Sequence, residues 1–181
     1  MAILPRRLRN IPDPVINLKG HRLQFVDEFP YLGQIISKNL KDSNDIERRR
    51  RNLCAIGNMI TRRFAFCNLD TKLTLFRTYC YSIYGGALWA DYTQESFRRL
   101  KVVHNDILRR LTNTPRYTSA SVLFVSHNLR SLKEIIRYAS TSLINRLESS
   151  DNTLIRNVLL SEAKIRSKLW LHWNEIAYTT H

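Results

Sequence analysis

The chain contains 181 residues, of which 44% are hydrophobic, so it is long enough to bury one core in one domain. Its 29 basic residues against 15 acidic ones give a net charge of +14, which favours a nucleic-acid partner, although acidic lipid or an acidic protein would also match a basic surface. No stretch approaches the roughly 20 apolar residues of a membrane span, and three cysteines without Cys-x-x-Cys spacing indicate a reducing compartment. We therefore expect no membrane partner and a soluble, intracellular protein, in the nucleus or the cytoplasm.

The N-terminal 40 residues divide into an arm and a β-hairpin region. Residues 1–14 combine three prolines with three arginines, which predicts a basic, extended arm. Residues 15–40 carry a glycine turn at Gly20 and three short apolar runs, which predict strands at residues 15–16, 23–26 and 31–36. Gly33 then lies within a strand, where another backbone can approach it closely. We expect Tyr31 to stack or pack beside Gly33, and Leu32 to lie in the core.

The first long helix is predicted to begin at Asn44, with Glu47 completing a capping box. At about 100° per residue, one stripe collects the apolar positions that face the core. The stripe consists of Ile46, Leu53, Gly57, Ile60 and Phe64. Arg48, Arg51 and Arg62 cluster on the opposite side, so we expect these three guanidinium groups to face solvent.

Further helices follow to the C-terminus. The second is predicted from Asp70 or Thr71 to about Trp89, with Gly85-Gly86 marking a kink, an end or a close approach. A third begins after Thr93, with Arg98, Arg99 and Arg109 on its exposed side, and shorter segments are predicted at 120–124, 131–147 and 152–160. Residues 161–181 are predicted to be a helical tail whose apolar patch docks against the bundle. The predicted fold is mainly α: a helical bundle over residues 41–160, preceded by a short N-terminal β-hairpin.

Catalytic and metal-binding patterns are missing from the sequence. The five histidines lack a ligand partner at helical spacing, and His104 is expected to be a satisfied core histidine. No Asp-Asp pair is present, and Asp27-Glu28 is predicted to supply solvated turn charges. No nucleophile motif of the Gly-x-Ser-x-Gly kind occurs either. We therefore predict no catalytic residues, no metal site and no cofactor for this chain alone.

A series of motifs resembles the region that follows the catalytic palm in the reverse transcriptases of non-LTR retrotransposons. The series opens with Phe29-Pro30-Tyr31-Leu32-Gly33 and continues with the Arg48–Arg51 run. The resemblance as a whole covers residues 15–125. The later members of the series are Lys72, Leu75-Phe76, Tyr79, Tyr84-Gly85, Leu88-Trp89, Leu100, Val103, Asn105, Leu108-Arg109-Arg110-Leu111 and Pro115-Arg116.

The resemblance implies a primer-grip and thumb fragment of an RNA-directed DNA polymerase. In that case Tyr31, Leu32 and Gly33 would form the primer-grip segment, and the partner would be an RNA–DNA or DNA duplex. The complete enzyme would use magnesium bound by a palm aspartate pair that this sequence does not contain. A palm and fingers polypeptide is then one expected partner, and palm and fingers encoded elsewhere in the same gene are the alternative.

The basic helix faces predict contacts to phosphate rather than base readout. Phosphate contact needs only accessible cations, and Arg48, Arg51, Arg62, Arg98, Arg99 and Arg109 are the candidates. Little base stacking is expected, because most of Phe64, Phe66, Phe76, Tyr79 and Phe97 fall on core-facing positions. Two alternatives stay open: a non-enzymatic helical module that binds an acidic protein, and a transposon remnant without an independent function.

Overall fold

The computed structural model describes residues 15–178, and the arm predicted for residues 1–14 lies outside this range. Two antiparallel hairpins precede the helices: β1 (Asn17–Leu18) pairs with β2 (His21–Arg22), and β3 (Glu28–Tyr31) pairs with β4 (Gln34–Ser37). The helices are α1 (Ser43–Arg63), α2 (Leu69–Cys80), a 3₁₀ helix (Gly86–Leu88), α3 (Gln94–Leu111), α4 (Ala120–Ser126), α5 (Leu132–Glu148), α6 (Thr153–Leu160), α7 (Glu162–Arg166) and α8 (Lys168–Tyr178). The predicted fold class, mainly α behind a short N-terminal hairpin region, is confirmed.

The turn predicted at Gly20 is confirmed, but the strands beside it lie at residues 17–18 and 21–22 rather than 15–16 and 23–26. The strand predicted at residues 31–36 is wrong, because the second hairpin turns inside it. In β3–β4, Tyr31 pairs with Gln34 across a two-residue loop formed by Leu32 and Gly33. Both loop residues have positive φ, 46° and 76°, as the tightest hairpin turns require. Gly33 thus lies in a turn rather than a strand. Leu32, expected in the core, is 72% exposed at the hairpin tip.

The core is built where α1, α2 and α3 meet. The predicted stripe of α1 is buried at Ile46, Leu53, Gly57 and Ile60, whereas Phe64 follows the helix and is half-buried. Phe76 of α2 and Leu100 of α3 are completely buried as well. Apolar periodicity therefore identified the inward face of these helices correctly.

The starts predicted for α3 and α5 are confirmed, and in both helices a side chain caps the first turn. The Thr93 hydroxyl accepts from the Ser96 backbone N–H at 3.2 Å, and Ser131 with Glu134 forms a capping box at α5. The capping box predicted for α1 is absent, because that helix begins at Ser43 without a side-chain cap. Helix α2 is capped by Asn68 instead of Asp70 or Thr71.

The second helix ends at Cys80, nine residues before the predicted end. Gly85 adopts a left-handed φ of 81° before the 3₁₀ helix, and an added Cβ there would lie 3.4 Å from the Gln34 side chain. Gly86 is also closely approached, because its added Cβ would lie 2.9 Å from Ile83. The glycine pair thus serves a chain reversal and a close approach.

Helix α8 packs onto the bundle, as predicted for the apolar C-terminal patch. Trp173 is 4% exposed, and its indole N–H donates to the Ala87 carbonyl at 2.6 Å. Lys168 at the start of α8 pairs with Asp91 at 2.7 Å. None of the helices within residues 15–178 is both long and apolar enough to cross a membrane.

Candidate nucleic-acid interface

Helices α1 and α3 lie side by side and run in the same direction. The Thr93 backbone N–H, at the start of α3, donates to the Ser43 hydroxyl at the start of α1 at 3.2 Å. Fourteen residues further along each helix, Gly57 of α1 faces Ile107 of α3. The Arg110 guanidinium then donates to Asn58 Oδ1 at 2.9 Å. The contacting positions are 50 to 52 residues apart in sequence all along the two helices, which brings their basic sides together along one surface.

We call this surface the α1–α3 seam and define it by Arg51 and Arg62 of α1 with Arg99 and Arg110 of α3. All four side chains are exposed. Arg62 makes no ion pair with any residue in the described range, and the contact from Arg51 to Glu47 is long, at 3.6 Å. These guanidinium groups keep most of their donors available, as phosphate binding requires.

Glu47 and Asp106, besides the Glu95 that pairs with Arg98 and Arg99, lie near the seam and reduce its positive charge. Glu47 is bound by Arg50 at 2.7 Å, and this hydrogen bond is the main reason why the pKa of Glu47 is lowered. Arg51 and Arg99 add smaller electrostatic contributions to that pKa, so both lie close enough to act on the same carboxylate. Asp106 is paired with Arg109 at 2.8 Å. Glu47 and Asp106 thus each already have a cation of their own, Arg50 or Arg109, beside the four seam arginines.

Arg48 does not join the seam, contrary to the prediction that it faces solvent with Arg51 and Arg62. Its guanidinium donates to the buried Asp45 at 2.7 Å and also to the carbonyl oxygen of Gly33. The side chain is therefore half-buried between α1 and the tip of β3–β4. Arg48 fastens the hairpin to the bundle.

The three predicted arginines of α3 also separate. Arg98 and Arg99 are exposed, and both pair with Glu95, at 2.7 and 3.5 Å. Arg109 is only 18% exposed, because it binds Asp106 and the carbonyl oxygen of Thr118 at 2.9 Å. The expectation that Arg109 faces solvent is wrong; the next residue, Arg110, faces the seam instead.

Asp45 is the polar group on which this region depends, and sequence reasoning missed it. It is completely buried. One carboxylate oxygen accepts from the Ile35 backbone N–H at 3.0 Å and from Arg48, and the other accepts from the Trp89 indole N–H at 2.9 Å. One side chain thus joins β4, α1 and the segment after the 3₁₀ helix. No sequence motif signals such a contact, because its partners are 10 and 44 residues away.

The hairpin tip exposes the residues of the predicted primer-grip segment. Tyr31 is 55% exposed, and Gly33 lies against the ring of Tyr84, because a Cβ added to Gly33 would meet that ring at 3.4 Å. Tyr84 is itself 55% exposed, with the Arg49 guanidinium 5.7 Å from its ring centroid. The tip is thus an exposed turn flanked by two tyrosines and two arginines.

Exposed aromatic residues are more numerous than the sequence predicted. Phe66 and Tyr79, expected to face the core, are fully and partly exposed respectively. Tyr84, Tyr117 and Tyr138 are more than half exposed. Helical periodicity failed here because Phe66 follows the end of α1, and because Tyr79 lies on the outer side of α2. The expectation that most of the aromatic side chains named in the sequence face the core is therefore wrong for Phe66 and Tyr79.

The acidic, histidine and cysteine side chains of residues 15–178 lack the arrangement that a metal site needs. Within residues 15–178, no group of three or more histidine, cysteine, aspartate or glutamate side chains is arranged to hold an ion. Asp27 and Glu28 line a polar cleft of about 520 Å³ beside α1, together with Lys38 and Lys41. Glu28 accepts a hydrogen bond from the Asn44 amide, so this acid is tied to α1.

Comparisons of the chain with protein-family models, with curated protein sequences and with solved structures found no match.

Proposed function

We propose that this chain is a thumb-like module that binds the phosphate backbone of a template–primer duplex and does not polymerise by itself. The parent activity would be RNA-directed DNA synthesis of the non-LTR retrotransposon type, with magnesium held by a palm that these 181 residues do not include. The observation that carries the proposal is the α1–α3 seam, where four exposed arginines line two parallel helices in a chain of net charge +14. The motif order from Tyr31-Leu32-Gly33 onward supports the assignment to a thumb.

The test measures binding of the purified chain to a fluorescent RNA–DNA hybrid duplex at several salt concentrations. The seam variant combines Arg51→Gln, Arg62→Gln and Arg99→Gln, and leaves Arg48 intact because that residue holds the hairpin. Each lost phosphate contact lowers the slope of log affinity against log salt by roughly 0.9. We therefore expect the seam variant to reduce the slope by about 2 to 3.

A charge-matched control separates the seam from general electrostatic attraction. Lys133→Gln, Arg156→Gln and Arg166→Gln remove the same charge from exposed positions on α5, α6 and α7. This control is expected to keep the slope of the unmodified chain. Equal slopes for the seam variant and the unmodified chain would refute the proposal, as would a folded protein that binds no duplex at low salt.

A helical module that binds an acidic protein is the second candidate, and exposed apolar residues on α6 favour it. Leu154 and Val158 are 75% and 63% exposed one turn apart, beside Leu160. Competition distinguishes the two functions. The competitors are unlabelled duplex, heparin and a poly-glutamate peptide, compared at equal concentrations of negative charge. If the unlabelled duplex displaces the labelled duplex best, the thumb is favoured; if the other polyanions do, the interaction module is favoured.

A further inference from the structure

A groove of about 400 Å³ lies between the β3–β4 tip, the 3₁₀ helix and α5. Tyr84 and Leu88 form one wall. Tyr138, Ser142, Leu143 and Arg146 of α5 form the other. Neither the seam nor the hairpin turn uses these α5 residues. The groove thus combines aromatic and aliphatic walls with a few polar groups, which is the usual composition of a small-ligand site.

Each of its two tyrosines is covered on one side by an arginine. The Arg130 guanidinium lies 4.6 Å from the Tyr138 ring centroid, and Arg49 lies 5.7 Å from that of Tyr84. Such contacts hold a ring in place. Even so, Tyr138 remains 62% exposed and Tyr84 55% exposed. Both rings are therefore supported and still accessible to a planar ligand.

The charge of the groove favours an anion. Tyr138, Ser142 and Arg146 follow one another at one-turn spacing along α5, spanning about 12 Å at 1.5 Å per residue. The Arg146 Nε donates only to the Ser142 carbonyl oxygen of its own helix, at 3.3 Å, and Arg146 forms no ion pair within residues 15–178. No described residue that lines the groove carries a carboxylate. An aromatic ring, a hydroxyl and a guanidinium are thus presented in a row.

We propose that this groove binds unpaired nucleotides of a single-stranded nucleic acid, with a base stacked on Tyr138 and a phosphate held by Arg146. Every base has a π-face, so stacking on tyrosine requires no particular sequence, and a guanidinium matches phosphate well. The ligand class follows from this pairing: an apolar peptide would leave Arg146 unused, and a simple anion would leave the tyrosines unused.

The groove and the seam are separate surfaces, so this inference does not depend on the duplex binding proposed above. Arg49, beside Tyr84, and Arg51, on the seam, are two residues apart on α1. At 100° per residue they leave the helix on nearly opposite sides. A single strand that continues from a duplex would have to pass around the first turns of α1 to reach the groove.

The experiment compares binding of the full chain to three fluorescent probes: a blunt RNA–DNA duplex, the same duplex with a ten-nucleotide single-stranded extension, and the ten-nucleotide strand alone. Removal of one base-stacking aromatic costs single-strand binding about tenfold. We therefore expect Tyr138→Leu to weaken binding of the strand and of the extended duplex about tenfold, with little change for the blunt duplex. Arg146→Gln is expected to reduce the dependence of log affinity on log salt for the two probes that contain a single strand, and not for the blunt duplex.

Tyr117→Leu is the matched control, because Tyr117 is 91% exposed in the loop after α3 and does not line the groove. It is expected to bind all three probes as the unmodified chain does. Photocrosslinking with a 4-thiouridine strand is expected to label a peptide of α5, and Tyr138→Leu is expected to weaken that label when the chain is not saturated with strand. Unchanged strand affinity in a folded Tyr138→Leu variant overturns the proposal. Strand binding without blunt-duplex binding would refute the seam function and leave the groove supported.

Discussion

His104 is the residue with the least favourable surroundings in the described core. It is completely buried, and neither ring nitrogen has a hydrogen-bond partner within residues 15–178. The rings of Phe76 and Phe124 lie with their centroids 5.0 and 5.5 Å from it. The prediction of a core position is confirmed, but the expectation of a satisfied histidine is wrong. An unpaired buried donor or acceptor costs about 1–3 kcal/mol.

Burial among apolar rings lowers the pKa of His104 from 6.5 to about 4. The unfolded chain therefore binds a proton below pH 6.5, while the folded chain does so only near pH 4. The stability associated with neutral His104 is complete above pH 6.5 and is lost as the pH falls from 6.5 through 4. The total loss is about 3 kcal/mol at 1.36 kcal/mol per pKa unit.

We predict that His104→Leu raises the free energy of unfolding at pH 7 by about 1 kcal/mol or more, because it replaces unsatisfied polar atoms with apolar ones. The same change flattens the fall in stability between pH 6.5 and 4. Urea titrations at several pH values measure both effects. Ile46→Val is the control, because Ile46 is a completely buried position of α1 outside the rings that surround His104, so it should lower stability at every pH without changing the shape of the curve. If stability falls with pH in His104→Leu in parallel with the unmodified chain, His104 is not the group that causes the fall.

At the scale of elements, the contact between α1 and α3 depends on the absence of a side chain at one position. An added Cβ at Gly57 would lie 2.5 Å from Ile107 Cγ1 and 2.7 Å from its Cδ1, both closer than atoms can pack. Ile107 is completely buried and has no room to move aside. Gly57 therefore sets how closely the two seam helices approach.

We predict that Gly57→Ala destabilises the chain by up to about 2 kcal/mol, since an overpacking cost of about 1–3 kcal/mol outweighs the gain of about 1 kcal/mol in helix propensity. Thermal unfolding measures the change, with Asn52→Ala at an exposed position of the same helix as control. Adding Ile107→Ala should cost less than the sum of the two single changes, because the new methyl group enters the space that Ile107 leaves. Strict additivity would show that the two residues are not in contact.

The elements that could be predicted from the sequence are those determined by local pattern. The buried stripe of α1 follows from apolar spacing, and the start of α3 follows from the Thr93 cap. The end of α2 at Cys80 could not be predicted, because apolar residues continue to Trp89 and only the left-handed Gly85 redirects the chain. The prediction that Arg48 faces solvent is wrong for a similar reason. Its angle on the helix was correct, but the hairpin tip that covers it comes from a segment expected to be a strand.

For the whole molecule, the two hairpins differ in how they are attached to the bundle. Strands β1 and β2 have two residues each, and all four are exposed. Hairpin β3–β4 is joined to α1 by three polar contacts: Ile35 to Asp45, Arg48 to Gly33, and Asn44 to Glu28. Isolated two-stranded hairpins are marginally stable in water. The contacts to α1 therefore decide whether the tip with Tyr31, Leu32 and Gly33 is held against the bundle.

Asp45→Asn tests this attachment, because every group that Asp45 binds is a donor: the Ile35 N–H, the Arg48 guanidinium and the Trp89 indole N–H. An amide of the same shape must place its own NH₂ group against one of them and loses the charge that pairs with Arg48. Hydrogen bonds to charged groups contribute about 1.5–3 kcal/mol. We therefore predict a loss of stability of this size and hydrogen exchange at the Ile35 amide faster by at least tenfold. Asp106→Asn, which touches only Arg109 at a half-exposed site, should leave that amide unchanged. Equal protection of Ile35 in both variants would mean that the bundle does not hold the tip through Asp45, and that the contacts from Arg48 to Gly33 and from Asn44 to Glu28 are sufficient to attach it.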